Sequence, residues 1–528
     1  AVGDQYAIAI GYRALADSDA TGGQNVAVGF DAGRYFGSST SDSVVIGGNA
    51  GKGSSTTDFG GTSVVAIGGT TMKLLEYGSY PIAIGRNVME NTISGQASIA
   101  IGANAARNAT NITSGIFIGE GAGTGAGGGA SAGIHSNYDI AIGYQAGRKL
   151  ASGATATYGN VAMGADAMSS ATTGNYNVSL GYGAASGAAD VGDHSVSIGY
   201  LAGKINTGQY NVIIGSDAAP ASTAMGSAVV IGRQAGLDLS TSNQTGVIIG
   251  ALAGSSITDG AENALLGFYA GKNGNFNYST ILGHQAGEDN TADYVTMVGW
   301  QAGAENTAGT RLTAFGAGAL KTNTTGNQNC AVGYVALGLN VHGDNNTAVG
   351  NAALYKTAPA DGEGDNTALG YYAGYENTTG TGNVFIGKFA GYNQTTDDNK
   401  LFIANSETAT PLIGGDFSGA DRVTIGGANS TNILTISESG TSQVKLSAYT
   451  GKSMYIYAGD NLHINAGDAI QLEPGEGAGT SGGDVKISDY RGGTQYATFD
   501  GSAQSLGIGT TTPSMKLHVV DTDHEVAE

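Results

Sequence analysis

Apolar residues recur along most of this chain in one short phrase: a large apolar residue, an uncharged residue, a second large apolar residue, then glycine. It reads AIAIG at 7–11, NVAVG at 25–29, IAIG at 82–85, VIIG at 212–215, NTAVG at 346–350 and NVFIG at 383–387. Twenty-two copies end on the glycines at 11, 29, 47, 68, 85, 102, 119, 143, 164, 181, 199, 215, 232, 250, 267, 283, 299, 316, 333, 350, 370 and 387. Successive glycines lie 16 to 24 residues apart, and most steps are 16, 17 or 18. No step is shorter than 16, so about 16 residues close one turn and any excess goes outward into loops. Alternation of period two inside a tandem repeat predicts one β-strand per repeat, stacked into a solenoid. The period and the fixed glycines exclude helix.

The residue before each glycine is a large apolar in all 22 copies. Two residues earlier stands Val or Ile, giving way to Thr at 280, 296, 313, 347 and 367. These two positions share one face of the strand, and the residue between them points the other way. That middle residue is Ala in eleven copies and is never charged. A sheet with one face in water shows polar residues on that face, so both faces are expected to be buried. One would fill the coil, and the other would meet neighbouring chains around an axis. On this reading the middle position carries the inter-chain contact. Its bulky members Ile213, Val230, Ile248, Leu265, Ile281 and Met297 are then the expected core of a homotrimer. The competing expectation is a wide monomeric solenoid with a second internal layer.

After the glycine comes aromatic-x-Ala-Gly: FDAG at 30–33, YQAG at 144–147, YLAG at 200–203, WQAG at 300–303 and YYAG at 371–374. The aromatics occupy one repeat position and therefore one stripe along the rod. They are expected to cover seams between coils or chains. The alternative is a platform for stacking sugar rings, with Tyr144, Tyr200, Trp300 and Tyr371 as candidate receptor contacts. Asn opens the strand in nine copies, including Asn25, Asn160, Asn211 and Asn383, and stacked Asn side chains can hydrogen-bond as a ladder.

The phrase Asn-x-Val/Ile-Ala-Val/Ile-Gly followed by x-x-Ala resembles the head repeats of trimeric bacterial surface adhesins, which form left-handed parallel β-rolls in threes. The longer form, with aromatic-x-Ala-Gly after the glycine, resembles repeats in phage tail fibres. The likeness covers residues 5–391, with a period near 17 that is longer than the adhesin coil. It implies an all-β, homotrimeric parallel β-roll over residues 1–399, a shaft or head that attaches to a host surface glycan or protein.

Residues 400–428 read as a transition collar, with two short strands in 401–417 and a turn at Pro411. Over 429–504 a shorter repeat appears, SMYIYAGD, NLHINAGD and AIQLEPGE, expected to form an intertwined triple β-helix-like stem. The segment GIGTTTPSMKLHV within 505–528 resembles the stretch that precedes a self-cleaving intramolecular chaperone domain in phage fibres. That likeness implies a chaperone domain beyond Glu528. The chain begins at Ala1, already close to a repeat, so a processed product or a fragment is expected, with any anchor to a virion baseplate or another fibre protein outside it.

Composition narrows the chemistry. The net charge of −21, from 22 basic and 43 acidic residues, argues against nucleic acid or anionic lipid as partners. A trimer would carry −63, three times that charge, which favours neutral glycans or protein receptors over strongly anionic polysaccharides. Glycine numbers 91 and Cys330 is the single cysteine, so no disulfide framework or cysteine-based zinc site exists. No apolar run reaches the length of a membrane span. The seven histidines are scattered, and the acidic pairs Asp397/Asp398 and Glu473/Glu476 sit in turns. Turns such as HGDNN at 342–346 are weak candidates for calcium, and GEGAGTGAGGG at 119–129 lacks the Lys-Ser/Thr of a phosphate loop. No cofactor and no enzymatic activity are therefore expected. A virion tail is the expected location. A cellular surface adhesin or extracellular filament is the first alternative, and a tailspike depolymerase the second.

Overall fold

The computed structural model describes residues 6–418, apart from 22, 126–134, 151–156, 224, 241–245 and 361, together with the backbone of six strands between 422 and 527. It divides into two units, Ala1–Thr435 and Ile436–Glu528. The first is an all-β parallel solenoid of about 22 coils, and the described residues contain no helix.

All 22 repeat strands form, from Ile8–Ile10 to Val384–Ile386, each paired in parallel with the next coil. Their register aligns the repeats, as in Val196↔Val212, Ser197↔Ile213 and Ile198↔Ile214. Each strand ends at its glycine because of two independent constraints. The glycine φ lies between +114° and +145° in every copy, a region that L side chains rarely adopt. A Cβ there would also fall under 3 Å from backbone of the next coil, for example the carbonyl of Gly199 above Gly181.

After the first coil, whose strand Ile8–Ile10 is exposed throughout, the strand is buried on its middle residue and half-exposed or exposed on its two flanking residues. Ala27, Ala66, Ile213, Leu265 and Phe385 are fully enclosed, whereas Val26, Val28, Val212 and Ile214 are only partly covered. The expectation that Ile213, Val230, Ile248, Leu265, Ile281 and Met297 face a neighbouring chain is therefore corrected: all six lie in the coil's own core. The reason is a volume match across the coil. The residue four places after the strand glycine faces the middle residue. Where the middle residue is Ala66, Ala83, Ala162, Ala314 or Ala331, that partner is Met72, Met89, Met168, Leu320 or Leu337, all buried. Where the middle residue is Val230, Ile248, Leu265, Ile281 or Met297, the partner is Gly236, Gly254, Gly271, Gly287 or Gly303. A Cβ at Gly303 would press on Met297, and one at Gly287 on Ile281. In these coils bulk shifts from one side of a narrow core to the other, whereas opposite Ala141 and Gly147 the space is filled by Leu150.

Two buried amide columns tie the coils together. The first, at the strand entrance, is the expected Asn ladder. Asn329 Oδ1 accepts from the Asn346 backbone N–H at 2.9 Å, Asn346 Oδ1 from Asn366 at 3.1 Å, and Asn366 Oδ1 from Asn383 at 3.0 Å. The second lies seven residues after the strand glycine. There Asn306 Nδ2 donates to Asn290 Oδ1 at 2.6 Å, Asn323 to Asn306 at 2.9 Å, and Asn340 to Asn323 at 2.9 Å. Thr357 interrupts this second column, and Asn340 Oδ1, Thr357 Oγ1 and Asn377 Oδ1 are all buried without a partner. Replacing Thr357 by Asn supplies the donor that Asn340 Oδ1 lacks and an acceptor for Asn377 Nδ2. It is expected to stabilise the solenoid by about 1 kcal/mol, read as a raised urea midpoint at unchanged slope.

A second, six-stranded parallel sheet runs beside the first between Gly61–Thr62 and Thr157–Tyr158, through Tyr77–Ser79, Ser94–Gln96, Asn111–Thr113 and His135–Asn137. The long steps read as loops, 119–143, 143–164 and 350–370, each contain residues outside those described. In the fourth, 47–68, Ser54 and Thr57 close a turn with a 2.8 Å hydroxyl contact.

At the collar, Lys400–Ile403 joins the ladder parallel to Val384–Ile386 and pairs antiparallel with Ile413–Asp416. A further antiparallel strand, Arg422–Ile425, follows. In the second unit Val485–Ser488, Gln495–Asp500, Ser505–Ile508, Leu517–Val520 and Glu525–Ala527 form one five-stranded sheet within the chain. The three eight-residue units at 453–476 lie outside the described residues.

Candidate functional site

The flanking strand positions form the outer face of the main sheet. Forty-four side chains, two per coil, lie on it, and none is charged. Val and Ile dominate, with Leu266, Leu282, Phe315 and Leu369 among the exposed members. At ~4.8 Å per coil and roughly 10 Å of width, the face spans about 1,000 Å². Exposed apolar patches on monomeric proteins are typically about 300–600 Å².

Aromatic residues border this face on both sides. On the glycine side stands the expected stripe, which includes Tyr12, Phe30, Tyr144, Tyr182, Tyr200, Phe268, Trp300, Tyr334 and Tyr371, all exposed. Three neighbouring pairs of rings stack on each other. Tyr12 lies on Phe30 at 5.5 Å, Tyr182 on Tyr200 at 5.5 Å, and Phe268 on His284 at 5.3 Å. Such rings cover seams between coils and turn edges, not both faces, to solvent. The four candidate contacts share the stripe but do not form one site, since Tyr144 and Tyr371 are thirteen coils apart, ~60 Å. Tyr200 is stacked on Tyr182, Tyr371 packs against Tyr372 at 4.4 Å, and the Tyr144 hydroxyl accepts from Gln145 at 2.9 Å. Trp300 has no ring partner among the described residues, and the next coil carries Ala317 at the same position.

Before the strand lies a second aromatic column that the repeat phrase does not contain. It holds Tyr80, Tyr138, Tyr176, His194, Tyr210, Tyr278 and Tyr294, each with φ between +54° and +63°. Tyr176, His194 and Tyr210 stack at 5.2 and 5.4 Å, and Tyr278 stacks on Tyr294 at 5.2 Å. Other residue types alternate with Tyr in this column (Ala97, Ser227, Arg311), which hides it from a search for apolar periodicity. A third stack, Tyr355, Tyr375 and Tyr392 at 5.3 Å spacing, stands beside the 2.8 Å ion pair of Lys356 with Glu376.

One acid stands in the strand-entrance ladder. Asp139 accepts from Ser136 and Thr157 hydroxyls at 2.7 Å and from the Asn160 backbone N–H at 2.8 Å. Burial pushes its carboxyl above the usual carboxylate range, and these hydrogen bonds oppose the shift. Among the described residues no group of three or more His, Cys, Asp or Glu is placed to hold a metal ion, and no helix is long and apolar enough to cross a membrane. Asp397 and Asp398 are exposed, and Asp398 Oδ1 accepts from the Thr381 backbone at 2.7 Å as an inter-coil tie.

No known family matches the chain, and no curated protein or solved structure is significantly similar to it.

Proposed function

We propose that this protein is a structural fibre with a host-attachment role, a phage tail fibre, whose chains assemble as a homotrimer along the outer face of the main sheet. The observation that carries the reading is the uncharged, apolar outer face of 44 side chains. An in-register assembly of identical rods sets each residue near its own copies, so any charge on the contact would meet its like. Shared between two partners in a trimer, a face of about 1,000 Å² offers about 500 Å² to each, so the assembly depends on all three contacts closing together. A rod of 22 coils, ~100 Å long, gives reach, and repeated weak contacts along three chains raise avidity.

Labelled protein is expected to stain cells of its host, and antibodies against it to decorate tail appendages of virus particles in immunogold micrographs. Label confined to cell envelopes would replace the viral reading with a cellular adhesin. Release of oligosaccharide fragments from extracted surface polysaccharide would replace it with a depolymerase.

A further inference from the structure

An open groove of about 570 Å³ crosses three coils just before their strands, lined by Asn275, Asn277, Asp293, Tyr294, Thr307 and Arg311 among others. We infer that this groove binds a neutral pyranose, stacked on the uncovered face of Tyr294 and hydrogen-bonded between Asp293 and Arg311.

Tyr294 ends a stack. Tyr278 covers one of its faces at 5.2 Å with the rings 6° apart. The same position in the next coil is Arg311, which forms no ion pair and lies over no ring among the described residues. The other face of Tyr294 therefore meets the groove, one coil step from where a further ring would sit. A pyranose offers flat C–H faces to such a ring, as an amphipathic aromatic favours.

The polar groups set the ligand class. Asp293 Oδ1 is occupied by the Asn277 backbone N–H at 2.7 Å and Nδ2 at 3.3 Å, and Oδ2 accepts from no described residue. It offers a charged acceptor. Arg311 is exposed and offers only donors. Adjacent sugar hydroxyls both donate and accept, so one free acceptor beside one free donor suits a neutral diol. A uronic acid would bring its carboxylate between Asp293 and Arg311, where repulsion from one offsets attraction to the other.

The walls are already fixed. Thr291 donates to the Thr307 carbonyl, Thr307 to the Thr324 carbonyl at 3.1 Å, and Thr310 to Asn327 Oδ1 at 3.0 Å. Asn275 Oδ1 holds the backbone of Thr258 at 3.2 Å and Asp259 at 2.9 Å. Ordering on binding then falls mainly on the Arg311 side chain. The inference gives a site and a ligand class to the attachment reading, and rests on it only in taking the sugar to be part of a cell surface.

The test is a titration of the full chain with neutral tetrasaccharides of glucose, mannose, galactose and rhamnose, and with tetragalacturonate, followed by saturation-transfer NMR. At least one neutral member is expected to bind. Tyr294→Ala and Arg311→Ala should each weaken it about tenfold, while Tyr294→Phe keeps the stack and changes it little. No binding at 10 mM sugar, equal binding by both alanine variants, or preference for tetragalacturonate would overturn the inference. Staining of cells by the Tyr294→Ala variant at the parent's level, with no sugar bound by either, removes the groove and leaves attachment standing. Sugar binding without any cell staining does the reverse.

Discussion

Leu265→Asp is expected to unfold the middle coils of the solenoid, and Leu266→Asp to leave them folded but dissociate the assembly. The two residues are adjacent, yet Leu265 is 0% exposed and Leu266 47% exposed. Asp at 265 would replace a leucine packed opposite Gly271 and leave an unpaired carboxylate in a dry core. The lost transfer energy and the buried charge together cost more than about 4 kcal/mol, visible as a loss of β-sheet signal or a collapsed urea midpoint. At 266 the carboxylate faces water in a single chain, so folding changes by less than about 1 kcal/mol. Against a neighbouring copy it would meet its own charge and desolvate, so native mass spectrometry should show monomer where the parent shows trimer. A stable monomer for the parent would end the trimer proposal. Dissociation without unfolding by Leu265→Asp would put the inter-chain contact back on the middle position.

The strand-terminal glycine column is the second place where one substitution should have a large effect. Gly283→Val sets a β-branched residue at φ +142° with its Cβ against the Gly299 backbone. Strain of about 1–3 kcal/mol for the dihedral adds to a backbone displacement of similar cost. The expected loss is therefore at least ~3 kcal/mol, concentrated in the coils around 267–316 and measurable by amide hydrogen exchange. Gly69→Ala is the control: nothing lies within 4 Å of its added Cβ, and its φ is ordinary. It should be silent to within ~0.5 kcal/mol.

The coil count, the strand in each repeat and the Asn ladder were legible because each recurs at one position in tandem, so copy number compensates for a weak motif. Which face of the strand turns inward was not legible from the strand alone, since both faces are apolar. It was written elsewhere, in the pairing of Ala66 with Met72 and of Met297 with Gly303 across the coil, a covariation of volume that strand periodicity does not capture. The second sheet escaped because strands such as Ser94–Gln96 and Asn111–Thr113 are polar and short. The groove escaped for a related reason: Asp293, Tyr294 and Arg311 belong to columns whose residue type changes from coil to coil.

The direction of the inter-coil hydrogen bonds gives the rod a mechanical character. Bonds such as Gly303 N–H to the Ala319 carbonyl at 2.9 Å, Gly318 N–H to Trp300 at 2.8 Å and the Asn ladders all run from coil to coil. Tension along the rod therefore loads every bond of a junction in parallel, as in a rope of equal strands, and rupture requires a whole ring of bonds to fail together. The load a rod of this kind can bear is set by its poorest junction and not by its length. Within the stretch from Asn290 to Asn377, the junctions on either side of Thr357 carry one buried tie fewer than their neighbours.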